Sequence, residues 1–196
     1  MRARAAPATN PIRAALIALL LSACAGVQPF VPDTARLRPE TFGFGVLNAD
    51  VYAVQQAQWA FANPSRTHGR PLEAARASAA MDYIAGQLNT NPRWAHISAI
   101  TKMQLLEGRE EVRQALGIRP GVSSQAVVDT LAGISNALIA GDQAAAYGLA
   151  NAPIFAAPGE PVMAQLSNMP YLKMANVSTM RAANELFRPS GGIRAF

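Results

Sequence analysis

The chain has 196 residues, 51% of them hydrophobic, and its formal net charge of +5 comes from 17 basic and 12 acidic residues. Arg2, Arg4 and Arg13 precede the first acidic residue, Asp33, so the rest of the chain carries only 14 basic against 12 acidic side chains. That balance excludes a nucleic-acid binder working by charge alone, and a single cysteine excludes a disulfide framework.

Three features open the sequence: the basic stub, an apolar run from Ala14 to Leu21, and the small residues Ser22 and Ala23. This is the layout of a secretory signal. The apolar run is well short of the roughly 20 residues that cross a bilayer as a helix, so residues 1–23 are predicted to direct translocation rather than to span the membrane. Leu21-Ser22-Ala23-Cys24 resembles the lipobox of bacterial lipoproteins. The resemblance implies removal of residues 1–23 and acylation of Cys24, with fatty chains such as palmitate, as the mature N-terminus. It also implies a bacterial envelope address, with the membrane a partner through the lipid on Cys24. Ala25 stands where an Asp tends to retain such proteins in the inner membrane, which points to the outer membrane, facing the periplasm. Once acylated, Cys24 would leave the mature chain no thiol for a disulfide, a metal or nucleophilic attack.

Residues 24–47 contain prolines at 29, 32 and 39 and glycines at 26, 43 and 45. They are predicted to form an extended tether, with Phe30, Phe42 and Phe44 available to dock its far end. Its "GFGVLN" lacks the third glycine and the preceding strand of a phosphate loop.

From residue 48 to 188 the punctuation is helical, and the fold class expected is all-α, a compact bundle of about five to six helices. Asn48 or Asp50 caps a first helix to Ala62, with Val51, Val54, Gln58 and Phe61 along one side. Pro71 opens a second, reaching about Leu88. Asn91 and Pro92 are expected to start a third, carrying Trp94, Ile97, Ile100 and Leu105 and ending by Gly117. Ser123 or Ser124 caps the fourth, striped by Val127, Val128, Leu131, Ile134, Leu138 and Ile139. Asp142 caps a short fifth. A ten-residue loop, a helical turn over 162–167 and a last helix from Tyr171 to Phe187 complete the domain, and residues 189–196 read as a flexible tail.

Catalytic signals are absent from this pattern. It has no HExxH, no GxSxG and no SxxK, and neither a metal site nor a cofactor is expected of its two histidines, His68 and His96. Glu107 and Glu111 stand one helical turn apart, but Arg109, Glu110 and Arg113 are interleaved with them, the pattern of a solvated, salt-bridged face. Methionines 163, 169, 174 and 180 are spaced for core filling rather than for soft-metal binding. The most site-like stretch is "SRTHGRP", where Arg66, His68 and Arg70 lead into a helix N-terminus suited to an anion.

Charged residues make up 15% of the chain, against about 25% in a typical soluble domain. With the signal and tether, this predicts a lipid-anchored module that binds or assembles another envelope protein. A cavity binding a small molecule, anion or lipid is the alternative, and an envelope enzyme of unrecognised type the third.

Overall fold

The computed structural model describes residues 33–38 and 48–187. The signal segment, Cys24, the three tether phenylalanines and the tail lie outside the described residues. Among the described residues the architecture is all-α: seven helices, with one isolated antiparallel bridge between Ile118 and Phe155. They are α1 (Ala49–Phe61), α2 (Pro71–Thr90), α3 (Ala99–Ala115), α4 (Ser124–Ile139), α5 (Gln143–Ala150), α6 (Glu160–Ser167) and α7 (Lys173–Leu186).

Short polar side chains start most of them. Asn48, Ser98, Ser123 and Asp142 each accept a hydrogen bond from a backbone N–H in the first turn of α1, α3, α4 and α5, satisfying donors that the helix itself leaves unpaired. Asn91 and Pro92 do not open α3. They make a single 3-10 turn over Pro92–Trp94, and α3 begins after a break, where the Ser98 side chain accepts from the Thr101 N–H. The break lets Trp94 turn inward while Ile100 projects into solvent.

The long helix α2 is the axis of the bundle. Its residues from Ala74 to Leu88 are almost all buried, with α4, α1, α3 and α6 packed around it. Alanines dominate its surface, so neighbouring backbones can approach closely, and larger side chains fill the gaps: Met81, Ile84 and Leu88 from α2, Leu105 from α3, Leu131 and Ile134 from α4. Each fully buried side chain of that size stabilises the fold by about 1.5–3 kcal/mol. The stripe on α4 is buried through Ile134, but its last member, Ile139, faces solvent. Phe155, completely buried, anchors the long loop between α5 and α6. That loop is tied to the end of α3 by Arg119 N to Ile154 O (2.8 Å) and Ala156 N to Gly117 O (2.8 Å).

Helices α3 and α7 run antiparallel and cap each other. Glu111, near the C-terminal end of α3, accepts from the Met174 and Ala175 amides at 2.7 and 2.9 Å. Glu185, at the far end of α7, accepts from the Ser98 amide (2.7 Å), the Ser98 hydroxyl (2.9 Å) and the Thr101 hydroxyl (2.8 Å). Each carboxylate sits at the positive end of the partner helix, where an anion is favoured. Between these ends Gly108 permits close approach: a Cβ there would lie 2.7 Å from Met81 Cε and 3.1 Å from the Ala175 Cα.

Candidate functional site

Two of the three loop residues expected to hold an anion face solvent. His68 and Arg70 are exposed, whereas the Arg66 guanidinium turns back to donate to the Trp59 carbonyl and stack on the Trp59 ring, 5.2 Å from its centroid. The loop is pinned to the end of α6 by Gly69 N to Ser167 O at 2.7 Å.

The densest polar cluster among the described residues lies elsewhere, where the C-terminal halves of α2 and α3 meet the start of α4. Asp82 comes from α2 and its side chain is 1% exposed; Arg113 comes from α3 and is 8% exposed. They pair in a fork, Arg113 Nε to Asp82 Oδ2 at 2.8 Å and Nη2 to Oδ1 at 2.6 Å. The guanidinium also donates to the Val122 carbonyl at 2.9 Å and to Ser124 Oγ at 3.1 Å. Burial pushes the Asp82 carboxyl above its ordinary value, outweighing the hydrogen bonds and charge of Arg113. Burial alone would lower Arg113, but hydrogen bonding to Asp82 and the charges of Asp82 and Asp33 outweigh it and hold the guanidinium charged.

Asp33, within the stretch read as tether, completes the cluster. Its carboxylate accepts from the Ser124 amide at 2.7 Å, the Ser124 hydroxyl at 2.9 Å and Arg109 Nη1 at 3.2 Å, and lies 3.5 Å from Arg113 Nη2. The residues that follow are held by side chains on both flanks. Gln87 Nε2 donates to the Ala35 carbonyl at 2.9 Å; the Arg36 amide donates to Gln125 Oε1 at 2.8 Å, and Gln125 Nε2 donates back to the Arg36 carbonyl at 3.2 Å. Ala35 is buried. Gly86 lets this happen: a Cβ there would lie 2.6 Å from the Asp33 carbonyl oxygen.

Arg109 and Arg113 therefore turn inward, so the interleaved charges of α3 are not a uniformly solvated face. Its outer members are Glu107 and Glu110, which are exposed, while Glu111 is spent on the start of α7. Beside Arg113 a cleft of about 190 Å³ opens between Glu110, Gln114, Ile118, Arg119 and Pro120, smaller than the roughly 300–1,000 Å³ of most small-molecule sites.

A second buried polar knot joins α1, α2 and the 3-10 turn. The Asp50 carboxylate accepts from the Tyr83 hydroxyl at 2.5 Å and from Trp94 Nε1 at 2.8 Å. Burial, then the hydrogen bond and charge of Asp50, push the Tyr83 phenol well above its usual value.

Chemically, the Asp33–Ser124 cluster recognises a carboxylate. Two guanidiniums, a hydroxyl and a helix-opening amide converge on one anion, the geometry of charge-assisted recognition. Ser124 is fully buried and its hydroxyl is hydrogen-bonded to a carboxylate and two guanidiniums, an arrangement for holding rather than for attack. Among the described residues no three His, Cys, Asp or Glu side chains come together as a metal site would require. Methionines 163 and 169 fill the core, while Met180 faces solvent. The cluster did have a sequence signal. Asp82 is the lone charge in the run "ASAAMDYIAG", and a charge inside a buried helix needs a partner.

No protein-family model, curated protein or solved structure matches this chain.

Proposed function

We propose that the chain is a lipid-anchored protein of the bacterial envelope, acylated at Cys24, whose helical bundle is a binding or assembly module for another envelope protein. The observation that carries the reading is Leu21-Ser22-Ala23-Cys24, placed directly after a short apolar run and ahead of a bundle that contains no helix long and apolar enough to cross a membrane among its described residues. Two acyl chains, at about 0.8 kcal/mol per buried methylene, would anchor it stably. The outer membrane, with the bundle in the periplasm, is the address that Ala25 favours.

Binding rather than catalysis is supported by what the bundle exposes. The paired helices α3 and α7 leave Ile100, Met103 and Met180 in solvent, with Phe187 just beyond α7, around the hydrogen bond from Arg181 to Gln104. Exposed apolar residues grouped on neighbouring helices suit a protein contact.

The test is crosslinking in intact cells, with mass spectrometry of what is recovered with a C-terminally tagged chain. Cys24→Ala serves as the unanchored control and metabolic palmitate labelling as the check on acylation. One dominant partner, lost on Cys24→Ala and on Met103→Arg/Met180→Arg, supports the reading. Failure of palmitate to label the wild-type chain would refute the anchor, and recovery of the same partner with the double arginine variant would refute the surface.

A further inference from the structure

The segment Asp33–Arg36 is held by a seat that does not depend on it. Arg113 is fixed by both Asp82 oxygens and by the Val122 carbonyl, and Ser124 is fixed by the start of α4. Gln87 and Gln125 project from α2 and α4 as the two flanks. Remove Asp33 and the seat still presents the Ser124 amide and hydroxyl, Arg109 and Arg113, all without their shared carboxylate. Arg109 already has a buried Nε without a hydrogen-bond partner, 3.6 Å from the Glu110 carboxylate. The segment itself gives the seat little apolar area: Ala35 is its one fully buried side chain, and Leu37 is partly buried. Carboxylate, backbone carbonyl and backbone amide make the remaining contacts, and any peptide of like pattern supplies those.

From this we infer that the junction of α2, α3 and α4 is an acceptor site for an extended peptide, one carrying an aspartate followed two residues later by an alanine-sized side chain, and that the chain's own Asp33–Arg36 fills it in cis. The aspartate is read by Ser124, Arg109 and Arg113, the backbone by Gln87 and Gln125. Gly86 sets the close approach that excludes a bulkier fit. Extended peptides are recognised in this way elsewhere, main-chain hydrogen bonds giving affinity and one or two side-chain pockets giving specificity.

Exchange at this site would change the reach of the anchor, a consequence that rests on the proposed acylation of Cys24. With the segment seated, nine residue steps separate Cys24 from Asp33 and span at most about 30 Å; release moves the first held residue further along the chain, and each added residue lengthens that reach by up to about 3.4 Å. A partner offering the peptide would lengthen the leash as it bound.

The test uses the full mature chain made soluble by Cys24→Ala, so its outcome is independent of acylation. Asp33→Lys places a cation against Arg109 and Arg113 and should eject the segment. Hydrogen exchange at the Arg36 amide should then quicken by about tenfold or more, as a hydrogen-bonded amide becomes free. The same variant should bind a fluorescent peptide of residues 31–38 saturably, and a peptide with asparagine in place of aspartate roughly tenfold more weakly. Gly86→Ala should also release the segment, yet bind no peptide, because the new methyl group occupies the path of the backbone. Should Asp33→Lys fail to fold by circular dichroism, Asp33→Asn takes its place with the same readings. Unchanged Arg36 exchange, no peptide binding up to about 1 mM (the effective concentration of a short tethered segment), or equal binding of the asparagine peptide would each overturn the inference.

Discussion

Replacing Arg113 with methionine removes the fork that holds both Asp82 oxygens and keeps most of the side chain's volume. The carboxylate is then left with 1% of its side chain exposed and no cation within bonding distance on α3. Breaking a buried pair from one side costs about 3–5 kcal/mol, far more than the net value of the intact pair, because one charge stays buried without compensation. For a domain near 150 residues each kcal/mol moves the melting temperature by about 2–4 °C, so Arg113→Met should melt roughly 6–20 °C below wild type. The double variant Asp82→Leu/Arg113→Met removes both charges and should recover to within about 1.5 kcal/mol of wild type. Urea and thermal melts followed at 222 nm give both values and the coupling between them. The pH dependence supplies a second check. Burial already raises Asp82 above its ordinary value of 3.8, and loss of Arg113 takes away the opposing pull. A carboxyl raised in the folded state contributes stability below its unfolded value and loses it as pH rises through the folded one. The penalty of Arg113→Met should therefore be full at pH 7 and shrink as pH falls. A single variant costing less than about 1 kcal/mol, or a double variant as unstable as the two singles added, would refute the buried-pair account.

Asp50→Ala should cost about 2–4 kcal/mol in a urea melt, since it strands the Tyr83 hydroxyl and the Trp94 indole N–H together in a dry site. Gly108→Ala should destabilise by about 1–3 kcal/mol despite alanine's better helix propensity. The Met81 tip can move away from the new methyl, but the Ala175 backbone, 3.1 Å from it, has α7 behind it. Stability should also fall as pH rises above 10, the ordinary tyrosine value: with Tyr83 raised in the folded state, the unfolded chain ionises first and gains from alkali. Tyr83→Phe should flatten that slope, and melting temperatures at pH 8 and pH 11 for both proteins will show whether it does.

How much of this was legible beforehand depends on the range of the interaction. Caps act within three residues, and Asn48, Ser123, Asp142 and Pro71 stand where a reading of local punctuation puts them. Where the local signal was correct but incomplete, the reading slipped. Asn91 and Pro92 do begin a helical turn, but Trp94 is drawn to Asp50 and Ser98 to Glu185, and these two distant carboxylates decide that α3 starts later. Similarly, Glu107 and Glu111 are one turn apart on one helix, yet only Glu111 reaches the amides opening α7.

The seat for Asp33 shows why a candidate site can hide in a sequence whose helices are plain. Its members come from the N-terminal segment, α2, α3 and α4, and no two of them form a motif. Arg109 and Arg113 share a face of α3, but local charge pattern alone favours an exposed face for them, because Glu107, Glu110 and Glu111 lie alongside. The discriminating residue is Asp82. Alanines on either side of it let α3 and α4 close on α2, and that closeness removes water from the carboxylate and obliges an arginine to meet it. Once Arg113 is committed inward, its Nη2, the Arg109 guanidinium and the start of α4 define a second anion position, which Asp33 occupies. The buried pair thus has a use besides stability: it holds a guanidinium rigidly at the place where an extended peptide presents its carboxylate.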